Sequence, residues 1–387
     1  FLAFASNFID VDTVIPAMLA DAGGSAVQIG ILTAIMLGGS SFTQLIFAPI
    51  ISNFPYKKKF LISGITTRIF SLLFLGLMLR YSSLIEANQQ VLLIFLLITL
   101  FSVGGAFANV SYTDILGKSI LDSARKPFFS AKQVISASVL LGSAFLARHI
   151  LGSADYPVNY SRMFLIGFLA LSIASLGFWG IRERIPSELK VRSPRHFFVL
   201  IRREMKQNPR LSWFLGFINT MGIAPALLPF MILYSREDMA AGWGINTGTL
   251  LLLKVLGSVL TGALLFLYAR KFKYRKLLFV NALLAVAAPM LILLFPSRSV
   301  IHLVFLLGGI IYAFYSVSMN GVLLEVSGRS NRTLYTGIAG AGNILPALFP
   351  LLGGYIIKHW GFLPFLLLFS GLILLSLYFI RKLDCEK

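Results

Sequence analysis

An all-α integral membrane fold, with twelve transmembrane helices in two six-helix halves, is predicted by three observations. The 387-residue chain is 57% hydrophobic, with a mean hydropathy of +0.83. Its apolar residues come in runs of about twenty, the length that a helix rising ~1.5 Å per residue needs to cross a ~30 Å hydrocarbon core. The Lys and Arg residues between these runs alternate strongly, dense after every second run and sparse after the others.

The runs predict spans at 1–20, 28–52, 60–81, 91–115, 127–150, 162–181, 211–234, 247–269, 277–295, 300–325, 333–357 and 361–380. Connectors after the even-numbered spans hold 25 of the 34 Lys and Arg, and the opposite side, span ends included, holds six. Short cytoplasmic loops carry the positive residues, so both termini are expected in the cytoplasm. The formal net charge of +19 then reflects orientation rather than nucleic-acid binding, and the lipid bilayer is the expected surrounding. Short connectors and the lack of long tails fit a bacterial inner (plasma) membrane.

The longest polar stretch, 182–210, separates an N-terminal six-helix bundle (1–181) from a C-terminal one (211–381), with a cytoplasmic tail at 382–387. Within it, Arg195 to Lys206 reads as a short basic amphipathic helix, either lying on the membrane surface or serving as a solvated linker. The halves resemble each other. A shift of 218 residues lays Gly39-Ser40 on Gly257-Ser258, Thr43 on Thr261, and Tyr56-Lys57-Lys58 on Tyr274-Arg275-Lys276. Internal repeats mark many transporter folds, with the site at the repeat interface. The same shift sets Phe1 on Asn219, part-way into span 7, so span 1 is expected to lack its first turns.

Several classes are disfavoured. The one cysteine, Cys385, permits no internal disulfide. His149, His196, His302 and His359 all lie outside the deep parts of the apolar runs, which argues against an intramembrane metal site or hydrolase. No metal and no cofactor are expected. An acyl or glycosyl transferase would need a clustered constellation that is missing, and Gly117-Lys118-Ser119 lacks the upstream glycine of a phosphate-cradling loop.

Twelve spans, both ends inside, a basic central loop and two similar halves together resemble the major facilitator superfamily. Its motif between spans 2 and 3 is a Gly, an Asp four residues on, then Gly and two basic residues. Here Pro49, Asn53 and Tyr56 stand at the first three positions and Lys57-Lys58 match the basic pair. The equivalent stretch after span 8 keeps Tyr274-Arg275-Lys276. Span 11 carries Gly342, Pro346, Pro350, Gly353 and Gly354, similar to a drug-antiporter pattern that belongs to span 5 of the other half. The resemblance implies a secondary transporter of a small-molecule substrate working by alternating access, and not an enzyme. A non-transporting receptor or scaffold on the same fold is the alternative. The chain is expected to act as a monomer and to bind no nucleic acid.

The resemblance also implies that spans 1, 2, 4, 5, 7, 8, 10 and 11 line a central cavity. Polar residues at helical spacing agree: Asn7, Asp10 and Thr13 on span 1; Gln44 on span 2; Asn109 on span 4; Lys132 on span 5; Lys254 on span 8; Tyr312 and Asn320 on span 10; Asn343 on span 11. Small polar residues in such spans can equally act as helix–helix glue. Charges are more informative, because one in the bilayer interior costs at least ~2.5–3.5 kcal/mol. Asp10 is about ten residues, or ~15 Å, from the outer end of span 1. The candidate substrate and proton pathway is therefore Asn7, Asp10, Gln44, Asn109, Lys132, Lys254, Tyr312, Asn320 and Asn343, with the charged Asp10, Lys254 and Lys132 at its centre and Asp10 as the proton-coupling carboxylate. Burial favours its neutral form and Lys254 its charged form, the balance a group needs to load and release protons. A sodium site is disfavoured, since spans 2 and 4 hold no carboxylate cluster. The two lysines suggest an anionic group on the substrate. If Lys254 merely neutralises Asp10, a neutral or amphiphilic substrate fits instead. Asp12, two residues on, is expected to point the opposite way around the helix. Arg68 on span 3 reads as structural. Asp114 and Glu325 end spans 4 and 10, and with Asn53, Lys57, Lys58 and Arg275 they form the expected cytoplasmic gate.

Overall fold

The computed structural model describes residues 1–52, 54–119, 122–183, 186, 203–237, 245–268, 273–327, 338–340 and 342–383. Among them all regular structure is helical. Ten segments are each long and apolar enough to cross a bilayer. The other two crossings are the interrupted first span and Ala26–Ser52. Spans 3 to 6 run Lys58–Arg80, Ala87–Ser119, Asp122–Gly152 and Val158–Trp179; spans 8 to 10 are Thr247–Leu267, Tyr274–Leu294 and Arg298–Ser327; span 12 is Phe362–Leu383. The stretch read as an amphipathic linker helix falls mostly outside the described residues.

Three spans are not continuous. Span 1 consists of Leu2–Phe8 and Val14–Asp21. Span 7 consists of Pro209–Met221, a 3₁₀ turn at Ala224–Ala226 and Leu227–Glu237. Span 11 has a helical turn at 338–340 before Ile344–Trp360. Two of the interruptions have a local cause. In span 1 the Asp10 side chain captures backbone donors that a helix would use, as short polar residues do, and Pro16 fits the following first turn, where an N–H has no partner anyway. In span 7 the 3₁₀ turn contains Pro225. Spans 11 and 12 are joined by Gly361 alone, whose φ of +83° favours glycine.

Six neighbour pairs within the first half recur six spans later. Spans 3 and 4, 2 and 4, 3 and 6, 1 and 5, 1 and 6, and 5 and 6 pack together, and so do 9 and 10, 8 and 10, 9 and 12, 7 and 11, 7 and 12, and 11 and 12. The short repeat in the sequence therefore corresponds to a repeat in packing. The second half has an aromatic centre, with Phe230 and Phe365 rings 4.8 Å apart and Phe349 against the same Phe365. Leucines such as Leu92, Leu176, Leu267 and Leu294 stay exposed on the outside, where lipid replaces the core as apolar partner.

The halves meet through spans 2 and 11, 5 and 8, and 1 and 7. These contacts include backbone approaches near the Lys/Arg-poor face. A Cβ on Gly30 would strike the Pro350 carbonyl, and one on Gly354 would strike the Ala26 carbonyl. A Cβ on Gly248 would reach the Arg148 backbone. The Lys/Arg-poor face is thus drawn together in this structure.

Candidate functional site

The interruption of span 1 builds the site. Asp10 Oδ1 accepts hydrogen bonds from the backbone N–H of Asp12 at 3.1 Å and of Thr13 at 2.9 Å, and from the Thr13 hydroxyl at 2.8 Å. Its carboxylate therefore holds the turn that leads into the helix Val14–Asp21 and still faces span 8. There the Lys254 ammonium donates to Asp10 Oδ2 at 2.8 Å and Oδ1 at 3.0 Å. It also lies 2.5 Å from Asp12 Oδ2. All three side chains are nearly buried, with 10% of Lys254, 14% of Asp10 and 11% of Asp12 exposed. Two carboxylates around one ammonium leave the cluster one negative charge in excess.

This placement of Asp12 corrects the expectation that it points away from Asp10. A 100° step per residue holds only inside a helix, and Ile9 to Thr13 is unwound. The stripe of Asn7, Asp10 and Thr13 on one helical face does not exist for the same reason. Asn7 is 3% exposed. It donates to the Leu140 carbonyl at 2.6 Å and the Ser143 hydroxyl at 2.8 Å, which ties the half-helix Leu2–Phe8 to span 5.

Tyr312 of span 10 is half exposed and within electrostatic reach of Lys254, Asp12 and Asp10. A small apolar cavity adjoins Asp12, walled by Leu228, Val304, Ile311, Tyr315 and Phe369. Lys132 lies 3.4 Å from the Tyr112 hydroxyl and 5.3 Å from that ring's centre, so it pairs with span 4 rather than with the Asp10 cluster. Asn109 is exposed on span 4. The side chains of Gln44 and Asn320, and all of Asn53, lie outside the described residues.

A second built feature went unnoticed in the sequence. Asn219 of span 7 donates to the Gly342 carbonyl at 2.7 Å and accepts from the Leu345 N–H at 2.8 Å. One side chain thereby serves both sides of the interruption in span 11. Asn343 sits in that interruption, its Oδ1 buried without a hydrogen-bond partner. Asn219→Ala leaves two backbone groups unpaired at about 1–3 kcal/mol for a buried donor or acceptor. A lowered thermal midpoint of the purified protein is the expected result.

At the basic face, the Lys57 ammonium pairs with Asp114 at 3.1 Å. Glu183 accepts from the backbone N–H of Lys57 and Lys58 at 2.7 and 2.9 Å, which favours a negative charge at the start of span 3. These contacts join parts of the first half to one another. Arg275 is exposed, and Glu325 is half-buried with Oε2 lacking a hydrogen-bond partner. Arg68 lies 4.1 Å from the Phe101 ring centre, a packing role.

The Lys/Arg-poor face holds an ion pair that no spacing in the sequence points to. Arg236 Nε is 2.9 Å from Asp21 Oδ1, and a second guanidinium nitrogen donates to Asp21 Oδ2 at 3.1 Å. The Tyr160 hydroxyl donates to the same oxygen at 2.7 Å. Nearby Tyr156 has its hydroxyl pushed up in pKa by burial and then by the charge of Asp21. Among the described residues no group of three or more His, Cys, Asp or Glu could hold a metal ion.

Residues 1–343 match the family model described as Major Facilitator Superfamily. No curated protein matches the chain. Among solved structures it is similar to a D-xylose–proton symporter, with a TM-score of 0.72 and 13% identity over 98% of this chain and 94% of that one. It is similar to the nucleoside transporter NupG, at 0.68 and 12% over 99% and 98%. It is also similar to the xylose transporter XylE from E. coli in an inward open conformation, at 0.71 and 11% over 100% and 95%. At these identities the likeness establishes the fold.

Proposed function

The chain belongs to the major facilitator superfamily and is a secondary transporter rather than an enzyme; from this premise we propose that it couples movement of a small solute to protons, with Asp10 as the coupling carboxylate. The observation that carries this reading is that Lys254 bridges Asp10 and Asp12 across the two halves. Span 1 belongs to the first half and span 8 to the second. A proton arriving on either carboxylate removes one of the two attractions holding them. It also cancels the excess negative charge of the cluster, which a low-dielectric interior penalises. Proton occupancy therefore biases the equilibrium between states in which the halves meet differently.

The same geometry bears on the substrate. The lysine donates to both carboxylates and offers no uncommitted point charge to an anion. An amphiphilic solute, neutral or cationic, suits a negative cluster beside an apolar wall better than an anion does. Both termini lie in the cytoplasm of a bacterial inner membrane on this reading, and the closed Lys/Arg-poor face is the outer one, so the state is inward-facing. Asn53, Lys57, Lys58, Asp114, Arg275 and Glu325 belong to the basic, cytoplasmic end, where they would act within each half.

The test begins with a thermal-shift screen of amphiphilic amines and neutral metabolites. A ligand of the folded state at ~100 times its dissociation constant adds about 2.7 kcal/mol. Uptake of the best ligand is then followed in proteoliposomes under an imposed pH gradient. Asp10→Asn is expected to lose gradient-driven accumulation while keeping downhill exchange. Accumulation in Asp10→Asn with wild-type pH dependence would remove Asp10 from the coupling.

A further inference from the structure

We infer that Asp21 and Arg236 form a latch that closes the Lys/Arg-poor face, and that the short helix Val14–Asp21 couples this latch to the Asp10–Lys254–Asp12 cluster; the inference rests on the alternating-access reading and adds to it a closing device. The latch joins residues 215 positions apart, one from each half. Its geometry is specific. One guanidinium nitrogen donates to Asp21 Oδ2, while Nε lies 2.9 Å from Oδ1 as an ion-pair contact without a hydrogen bond of its own, so a charge-assisted hydrogen bond and close attraction hold the pair together. The nitrogen that donates to Asp21 also donates to the Thr247 hydroxyl at 3.0 Å, and the other terminal nitrogen donates to the Ile245 carbonyl at 3.2 Å. Tyr160 completes the carboxylate from the first half. The side chains of Arg236 and Asp21 are 24% and 22% exposed, so water screens the pair only in part.

The helix between latch and cluster is suited to transmit motion. It has eight residues, and Val14 to Leu19 are all buried. At ~1.5 Å per residue it spans ~12 Å, too short and too tightly packed to bend. Asp10 and Thr13 stand at its start and Asp21 is its last residue. On the other side of the unwound stretch, Asn7 anchors Leu2–Phe8 to span 5. The short helix instead packs on span 7 as well as on span 2. The unwound Ile9–Thr13 is thus a hinge between a part held in the first half and a part lying between the halves. A charge change at Asp10 or Asp12 acts on one end of this strut, and the Asp21 carboxylate sits at the other. An open polar cleft of about 470 Å³ reaches the latch from the Lys/Arg-poor side, so water and solute meet it as soon as it parts.

The test reads accessibility and needs no substrate. In a Cys385→Ser background, Leu151→Cys places a thiol beside the latch at a position only 6% exposed. Its labelling rate with a bulky hydrophilic maleimide is measured on purified protein. Asp21→Asn and Arg236→Gln are each expected to raise that rate within roughly the 5- to 150-fold range of a conformational coupling. The reversed pair, Asp21→Arg with Arg236→Asp, is expected to return it toward the parent value, which separates a latch from a folding defect. Unchanged labelling in both single variants, or no recovery in the reversed pair, overturns the latch. Asp10→Ala, which loses both the turn-holding hydrogen bonds and the lysine contact, is expected to raise labelling as the latch variants do. If it leaves labelling at the parent rate while the latch variants raise it, the coupling through Val14–Asp21 is overturned. Loss of proton coupling in the flux assay with these accessibility changes intact would overturn the proposed function and leave the latch standing.

Discussion

Lys254→Met is expected to lower the stability of the folded protein by about 3–5 kcal/mol at pH 8, the cost of breaking a buried ion pair from one side. The methionine fits the volume of the lysine stem, so little of the effect comes from packing. What remains is two carboxylates, 14% and 11% exposed, facing each other with no counter-charge. The loss should shrink as pH falls, because protonating either carboxylate removes the repulsion and the unpaired charge together. Adding Asp10→Asn and Asp12→Asn to Lys254→Met should restore most of the stability, since replacing a whole buried ionic group is far milder than removing one member. Asn at position 10 also retains the side-chain oxygen that holds the turn before Val14. Thermal unfolding in detergent at pH 5.5 and pH 8 separates these effects. A Lys254→Met midpoint equal to wild type at pH 8 would mean that the three charges do not depend on one another.

Gly30→Val is expected to cut turnover sharply while leaving both halves folded. A Cβ at Gly30 meets the carbonyl of Pro350, and the next nearest atoms are also backbone, the Pro350 carbonyl carbon and the Gly354 Cα. Backbone cannot rotate aside as a side chain does. Forcing extra carbons into such a contact costs about 1–3 kcal/mol, and here the cost falls on the closed state of the Lys/Arg-poor face alone. That shifts the population against closure by roughly 5- to 150-fold. Transport assayed in proteoliposomes should fall accordingly, while the thermal midpoint moves little. Normal flux in Gly30→Val would show that the seam between spans 2 and 11 need not close during the cycle.

Much of the architecture was legible in hydropathy. Predicted and observed spans agree within a few residues at most ends, for instance 28–52 against Ala26–Ser52 and 247–269 against Thr247–Leu267. The charges worth watching were also visible, because Asp10 and Lys254 interrupt runs that otherwise exclude charge, and the two are in contact. Legibility ended where a residue's role depended on backbone continuity. Asp12 was turned the wrong way by assuming an unbroken helix. Asn219 looked like any polar residue in span 7, and nothing near it in sequence reports that span 11 is interrupted beside it. Asp21 and Arg236 sit at span ends, where charges are ordinary.

The sequence by itself determined how many times the chain crosses the membrane and where, because an apolar run of twenty residues has no cheaper place than lipid and must satisfy its backbone internally. It also determined which charges lie deep, since depth follows from counting along a helix. Only the tertiary structure decided which charges meet. Contacts across 215 or 244 residues depend on how two bundles pack and on five residues of unwound backbone, Ile9 to Thr13. There a few hydrogen bonds to one carboxylate outweigh the periodicity of the helix and swing a second carboxylate onto the same lysine.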